Sequence, residues 1–218
     1  HVDGFSVNRC TMDELTRAAI WYAKDGHIIS SNLGGIKALR ECENITIENS
    51  TIRSMEFGWK SQDIRLTDTK VEAEYLFLDC KNISLNRVEM KGKYSFQYIT
   101  DATFENCVFN TKDAFWHAKN VTVRNSIIKG EYLAWYCENV TFENCVITGT
   151  QPLCYCKGLR LINWEMHGAD LAFEKSEVDA TVTTPMISIK NVSAGRVSVP
   201  SVDELICDDE NARCEIIV

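Results

Sequence analysis

The sequence predicts an all-β chain wound as a single-stranded right-handed parallel β-helix, with 19-residue coils and an irregular C-terminal cap. Three observations carry that prediction. The stretch "FWHAKNVTVRNSIIKG" (115–130) overlays "AWYCENVTFENCVITG" (134–149) at an offset of 19. The same step from Asn120 lands on Asp25, Asn44, Asp63, Asn82, Asp101, Asn139, Gly158 and Glu177 with no insertion or deletion. The apolar residues keep fixed columns in this frame, which is the signature of a stacked repeat.

Positions within a coil are counted from that anchor residue. Small or apolar residues fill +1, +3, +6, +8, +13, +15 and +17, with Gly or another small residue frequent at +10. Gaps of two between apolar positions mean strands, whose side chains alternate faces. The wider gaps mark bends. Each coil is therefore expected to hold three short strands around a dry centre, and about nine coils make a rod roughly 40 Å long. Asn recurs at two corners, the anchor and +5, where stacked amides can pass hydrogen bonds from coil to coil. A leucine-rich repeat fits less well, because the second half of each coil carries aromatics, β-branched residues and Gly rather than a helical pattern. A left-handed hexapeptide helix would need a six-residue rhythm, which is absent.

At the N-terminus, Gly4-Phe5-Ser6-Val7 resembles an anchor segment but stands 21 residues before Asp25, so the first coil carries an insertion near "MDELTRAA". After Val182 the rhythm fails. The expected organisation is coils over 1–182 and a C-terminal cap over 183–218, covering the last strand edge.

The 218 residues are 45% hydrophobic, contain only 3 prolines and carry a formal net charge of −8. The acidic balance argues against nucleic acid as a partner, since such proteins present basic faces. No apolar run approaches the roughly 18 residues of a membrane helix, so no membrane partner is expected. The chain begins at His1 without Met, which deprives the absence of a leader of weight.

The phrases "AIWYAKD", "FWHAKNVTV", "GEYLAWYCENVTFENC" and "LAFEKSEVDA" resemble an uncharacterised family of bacterial right-handed β-helix proteins. The resemblance covers most of the chain. It implies a single pectate-lyase-like β-helix domain, an intracellular location, relatives somewhat longer at the N-terminus, and no established catalytic residues. Some relatives carry the label "hydrogenase", which would require clustered Cys ligands, whereas this chain has no C-x-x-C pair.

The 10 cysteines look like a disulfide or metal framework until they are placed on the repeat. Cys42, Cys80, Cys137 and Cys156 fall at +17, and Cys107 and Cys145 at +6, both inward columns of small residues. Cys42 and Cys80 are two coils apart, roughly 10 Å, too far to bridge. Buried thiols in a reducing, cytoplasmic setting follow, with no metal and no cofactor; Cys207 and Cys214 in the cap could pair. Six N-x-S/T sequons, among them those at Asn44, Asn82, Asn120 and Asn139, are by-products of the corner ladder rather than glycosylation sites.

The +16 column reads Tyr22, Glu41, Lys60, Asp79, Tyr98, His117, Tyr136, Tyr155, Glu174 and is expected to point outward. Phe96 and Phe115 at +14 and Asp113 at +12 are placed beside it. Tyr98, His117, Tyr136, Phe96, Phe115, Asp79 and Asp113 are thus the candidate ligand-binding residues. A ridge of rings suits carbohydrate, whose apolar ring face can lie on an aromatic, or a second subunit covering the patch. A non-catalytic binding or scaffold protein is the primary expectation. A polysaccharide lyase or glycoside hydrolase is the alternative, needing carboxylates converging within about 5–10 Å. Asp79, Asp113 and Glu131 are the nearest such groups, and His117 the candidate base.

Overall fold

The structure, a computed structural model, describes residues 2–218. It is a right-handed β-helix of about 11 turns, mostly parallel strands at 19-residue spacing, with no helix among the described residues. Pairing follows the register written in the sequence. Ile83 pairs with Ala102, Ala102 with Val121 and Val121 with Val140. Two strands recur per coil, as in Thr100–Glu105 with Val108–Lys112, and Lys119–Arg124 with Ile127–Lys129. In the middle of the rod they merge into the single long strands Gln62–Glu74 and Lys81–Lys93.

Two expectations change. There are more turns than the nine anticipated, because residues 183–218 are irregular in spacing yet keep the parallel pairing. Glu177 pairs with Ala194, Met186 with Val202 and Arg196 with Glu215. The third side of each coil is also not a strand, apart from the short pair Ile20–Trp21 and Leu39–Arg40 near one end and the pair Met186–Lys190 and Val202–Ile206 near the other. It is a run of turns in which +12, +14 and +16 take positive φ: 59°, 61° and 58° at Tyr94, Phe96 and Tyr98. Its backbone is still bonded from coil to coil. Tyr94 N–H reaches Lys112 O, Phe96 N–H reaches back to Leu76 O, and Tyr98 N–H reaches Trp116 O.

Left-handed φ also explains the corners. The anchor residues Asn44, Asp63, Asn82, Asp101, Asn120 and Asn139, and the +5 residues Asn49, Asp68, Asn106, Asn125, Asn144 and Asn163, all lie near φ +50°. Asn and Asp tolerate that region better than other residues bearing a Cβ. Their side chains then form the expected ladder. Asn120 Nδ2 donates to Asp101 Oδ1 at 3.0 Å, Asn139 to Asn120 at 3.3 Å and Asn163 to Asn144 at 2.8 Å.

The interior is one continuous apolar column. Val123, Ile128, Phe142 and Ile147 at +3 and +8 are fully enclosed. Each such side chain contributes roughly 1.5–3 kcal/mol by leaving water. The small inward columns have a second task, because backbone N–H groups at these bends point inward and need acceptors. Ser side chains of the next coil supply them, as in Cys107 N–H to Ser126 Oγ at 3.0 Å and Cys42 N–H to Ser61 Oγ at 3.1 Å. The thiols donate to carbonyls of the preceding coil, for example Cys137 Sγ to Phe115 O and Cys156 Sγ to Ala134 O, both 2.9 Å.

All 10 cysteines are free. Burial pushes the Cys80 and Cys154 thiols up to about 12 and Cys107 to about 11. Since the thiolate is the reactive species, mild-alkaline alkylation of native protein should label exposed Cys10 and Cys207 and spare Cys42, Cys80, Cys107, Cys137, Cys145 and Cys156. Denaturation without reductant should free all six for labelling. Mass spectrometry reads both results, and an oxidised member of the six would contradict their inward placement.

The insertion in the first coil falls between Met12, which pairs with Leu33, and Arg17, which bridges to Ile36. Asp13 Oδ1 accepts from Leu15 N–H and Thr16 Oγ1, both at 3.1 Å, closing the extra turn. Gly34 and Gly35 lie beneath it. A Cβ on Gly35 would sit 1.9 Å from Thr16 O, so only glycine allows this approach.

Candidate functional site

The turn side of the rod gathers nearly all the large amphipathic rings. All seven tyrosines fall at +12 or +16, and four of the five tryptophans at +15. Positive φ at alternate residues puts successive pairs on the same side instead of opposite sides. From Ala38 to Cys137, positions +13 and +14 turn inward, +15 and +16 outward, and +17 inward again, while further on Cys154 at +15 is buried.

That pattern corrects two of the candidate residues. Phe96 and Phe115 lie in the core, fully buried, and stack on each other at 4.9 Å rather than flanking a surface ridge. Phe96 also meets Phe104 edge-on at 4.9 Å. In their place +15 comes to the surface. Trp116 and Trp135 are half-buried, parallel within 2° and 5.2 Å apart. Their indoles are fixed by Nε1 donation across the coils, Trp116 to Tyr132 O and Trp135 to Gln151 O, each 2.7 Å. Gln97 Nε2 makes the equivalent bond to Asp113 O at 3.0 Å.

The +16 column is outward and in register. Tyr98, His117, Tyr136 and Tyr155 form one stack, with centroids 4.7, 5.0 and 4.8 Å apart and planes within 12°. Tyr98 is 51% exposed and Tyr136 43%. Among the described residues neither hydroxyl makes a hydrogen bond within the protein. Trp135 packs edge-on against Tyr136 and Tyr155, bracing the stack from below. The Tyr155 hydroxyl is raised in pKa, by burial first and then by the charge of Glu174.

The stack alters how a ligand could be held. Each inner ring has its faces covered by its neighbours, so the strip presents edges and hydroxyls at the coil pitch. A sugar lying flat on His117 or Tyr136, as the sequence suggests, has no face available there. Asp79 continues the column as an exposed side chain beyond Tyr98. Asp113 stands in the parallel +12 column between Tyr94 and Tyr132 and is 8% exposed. Burial raises its pKa, Lys112 opposes the shift and Glu131 adds to it. Asp79 and Asp113 thus occupy different columns and coils, whereas Asp113 and Glu131 are brought to adjacent coils. Glu131 is held by Lys112 at 2.9 Å. Among the described residues no group of three His, Cys, Asp or Glu side chains is placed to hold a metal ion.

No helix among the described residues is long and apolar enough to cross a membrane. No curated protein matches the chain. Solved β-helix structures align over most of it at low identity. The surface adhesin PfbA of Streptococcus pneumoniae aligns at 10% identity and TM-score 0.48, over 93% of this chain and 70% of the adhesin. The tailspike of E. coli bacteriophage HK620, in complex with a pentasaccharide, aligns at 7% and 0.44, over 89% of this chain and 47% of the tailspike. The A-module of the mannuronan C-5 epimerase AlgE4 of Azotobacter vinelandii aligns at 9% and 0.39, over 91% and 80%. Residues 1–217 match the family described as "Protein of unknown function (DUF3737)", and this stack of 19-residue coils belongs to that family.

Proposed function

We propose that the chain is a non-catalytic carbohydrate-binding β-helix that takes a linear glycan along its aromatic side, parallel to the rod axis. The observation that carries this reading is the exposed in-register stack of Tyr98, His117, Tyr136 and Tyr155. It offers polar ring edges one coil apart, backed by the half-buried indoles of Trp116 and Trp135. Buried aromatic surface with polar tips is the composition of sites that bind amphipathic ligands. A repeating ligand matches a repeating surface, each unit meeting the same groups one coil further on.

The hydroxyls are the working groups in this reading, since the ring faces are covered. Tyr98→Phe with Tyr136→Phe keeps the stack and removes two hydroxyls. Glycan-array screening followed by calorimetric titration should find at least a tenfold loss of affinity in this double variant, with melting temperature and mass unchanged. Retention of binding by the Phe pair, or no glycan bound by the wild type, would overturn the reading. If the strip is instead a contact between copies, sedimentation will find an oligomer that Tyr98→Ala with Tyr136→Ala converts to monomer.

A further inference from the structure

The +12 column runs parallel to the Tyr98–Tyr155 stack and contains a gap. Tyr75 and Tyr94 stack at 4.8 Å, with planes 24° apart. The next coil should add a third ring, but the residue there is Asp113, and the ring returns only at Tyr132. Tyr94 and Tyr132 are two coils apart, roughly 10 Å. That leaves the space of one ring, because stacked rings sit about 4.5–7 Å from each neighbour. Trp135 packs edge-on against Tyr132 of its own coil, and Trp59 against Tyr75. Trp116 holds the equivalent place beside Asp113.

The group at the bottom of this gap is a carboxylate. Asp113 is 8% exposed as a residue, but its carboxylate oxygens are not among the enclosed atoms left without a partner, so they open onto the gap and are met there by water. The charges acting on it are Lys112 and Glu131. Lys112 is engaged elsewhere, 2.9 Å from Glu131 and over the Tyr132 ring at 5.0 Å. Partial burial weakens the hydration of this carboxylate and raises its pKa. A ligand that supplies donors would make up for that weakened hydration.

The geometry points to a pyranose slot: one neutral hexopyranose unit inserts between Tyr94 and Tyr132, one C–H face on Tyr94 and the other replacing the Lys112 ammonium that lies over the Tyr132 ring at 5.0 Å, with neighbouring hydroxyls donating to Asp113. This rests on the reading that a glycan runs along the aromatic side, and it adds where one unit is gripped and of what class. A flat aromatic ligand would fill the gap but bring no edge donors. A uronic acid would meet Asp113 and Glu131, both acidic. A cationic group would be repelled by the Lys112 ammonium, which lies over the Tyr132 ring at 5.0 Å.

Asp113→Tyr completes the ladder from Tyr75 to Tyr132 and fills the slot, while Asp113→Asn keeps the shape and removes the charge. Each is titrated calorimetrically with neutral glucan, mannan and galactan oligosaccharides, beside the wild type and the Tyr98→Phe/Tyr136→Phe variant. Asp113→Tyr is expected to lose at least tenfold in affinity with its melting temperature unchanged or higher. Wild-type affinity should fall as pH is lowered through the raised pKa of Asp113, since only the ionised group accepts from two hydroxyls. Asp113→Asn should bind more weakly and lose that pH dependence. Wild-type binding by both Asp113 variants, with binding lost in the Phe pair, would remove the slot and leave the aromatic-side reading standing. A wild type that binds none of the panel would overturn both.

Discussion

Val123→Asp and Ile128→Asp are each expected to abolish soluble folded protein, whereas Thr122→Asp should be recovered at wild-type yield. Val123 and Ile128 are enclosed at +3 and +8, while Thr122 points outward between Thr103 and Thr141 of the adjacent coils. An ionised carboxylate in the apolar column finds neither water nor a donor. Adding lost packing, the cost is roughly 5 kcal/mol or more, comparable with the whole stability of a typical domain. Ile128→Val, costing about 1 kcal/mol, should fold and melt slightly earlier, giving a graded reading at the same site. Soluble yield and thermal denaturation by circular dichroism measure the series. Equal tolerance at 122, 123 and 128 would refute the strand register.

Gly130→Ala is expected to be nearly as damaging, although it adds one carbon. Gly130 has φ +152°, and a Cβ there would lie 1.4 Å from the Thr111 carbonyl oxygen. Gly149 repeats the arrangement one coil on, its Cβ 1.8 Å from Gly130 O. The obstructing atoms are backbone inside a paired coil, so they cannot rotate away. Strained φ alone costs about 1–3 kcal/mol, and opening the inter-coil bonding adds to it. Gly168→Ala supplies the contrast, with φ +65° and nothing within 4 Å of the added carbon. It should lose only about 1–2 kcal/mol. A melting temperature for Gly130→Ala equal to that of Gly168→Ala would mean the coils separate more easily than their bonding implies.

The strand sides were legible because they obey alternation. Once Asn120 fixes the frame, Val121, Val123 and Ile128 must face inward and Thr122 outward, and they do. The turn side broke that rule, since φ near +60° at Tyr94, Phe96 and Tyr98 resets the direction of each following side chain. Alternation therefore placed Phe96 and Phe115 outside and +15 inside, the reverse of what occurs. A signal was present. Position +14 carries only Leu, Gly, Phe or Ala from Leu39 to Ala172, whereas +15 admits Arg40 and Gln97, which a dry centre would exclude. The outward stack of Tyr98, His117 and Tyr136 was readable from +16 alone. The gap above Asp113 was not, because it depends on the +12 rings stacking face to face, as Tyr75 and Tyr94 do at 4.8 Å. The Asn corners read as a ladder. Their tolerance of left-handed φ is a second reason for the same residues, and it accounts for Asp and Gly appearing in the same columns.

The uniform spacing also governs how such a chain can assemble. Along most of the rod every strand finds its partner 19 residues away, so each step of winding closes a loop of the same modest length. Loop-closure entropy rises only with the logarithm of that length and is met in equal instalments, never as one large ring closure. Winding can then begin at any coil and propagate in both directions, each finished coil templating the next as in other solenoids. The Phe cluster formed by Phe96, Phe104, Phe109 and Phe115 draws on neighbouring central coils only, which makes it the natural seed.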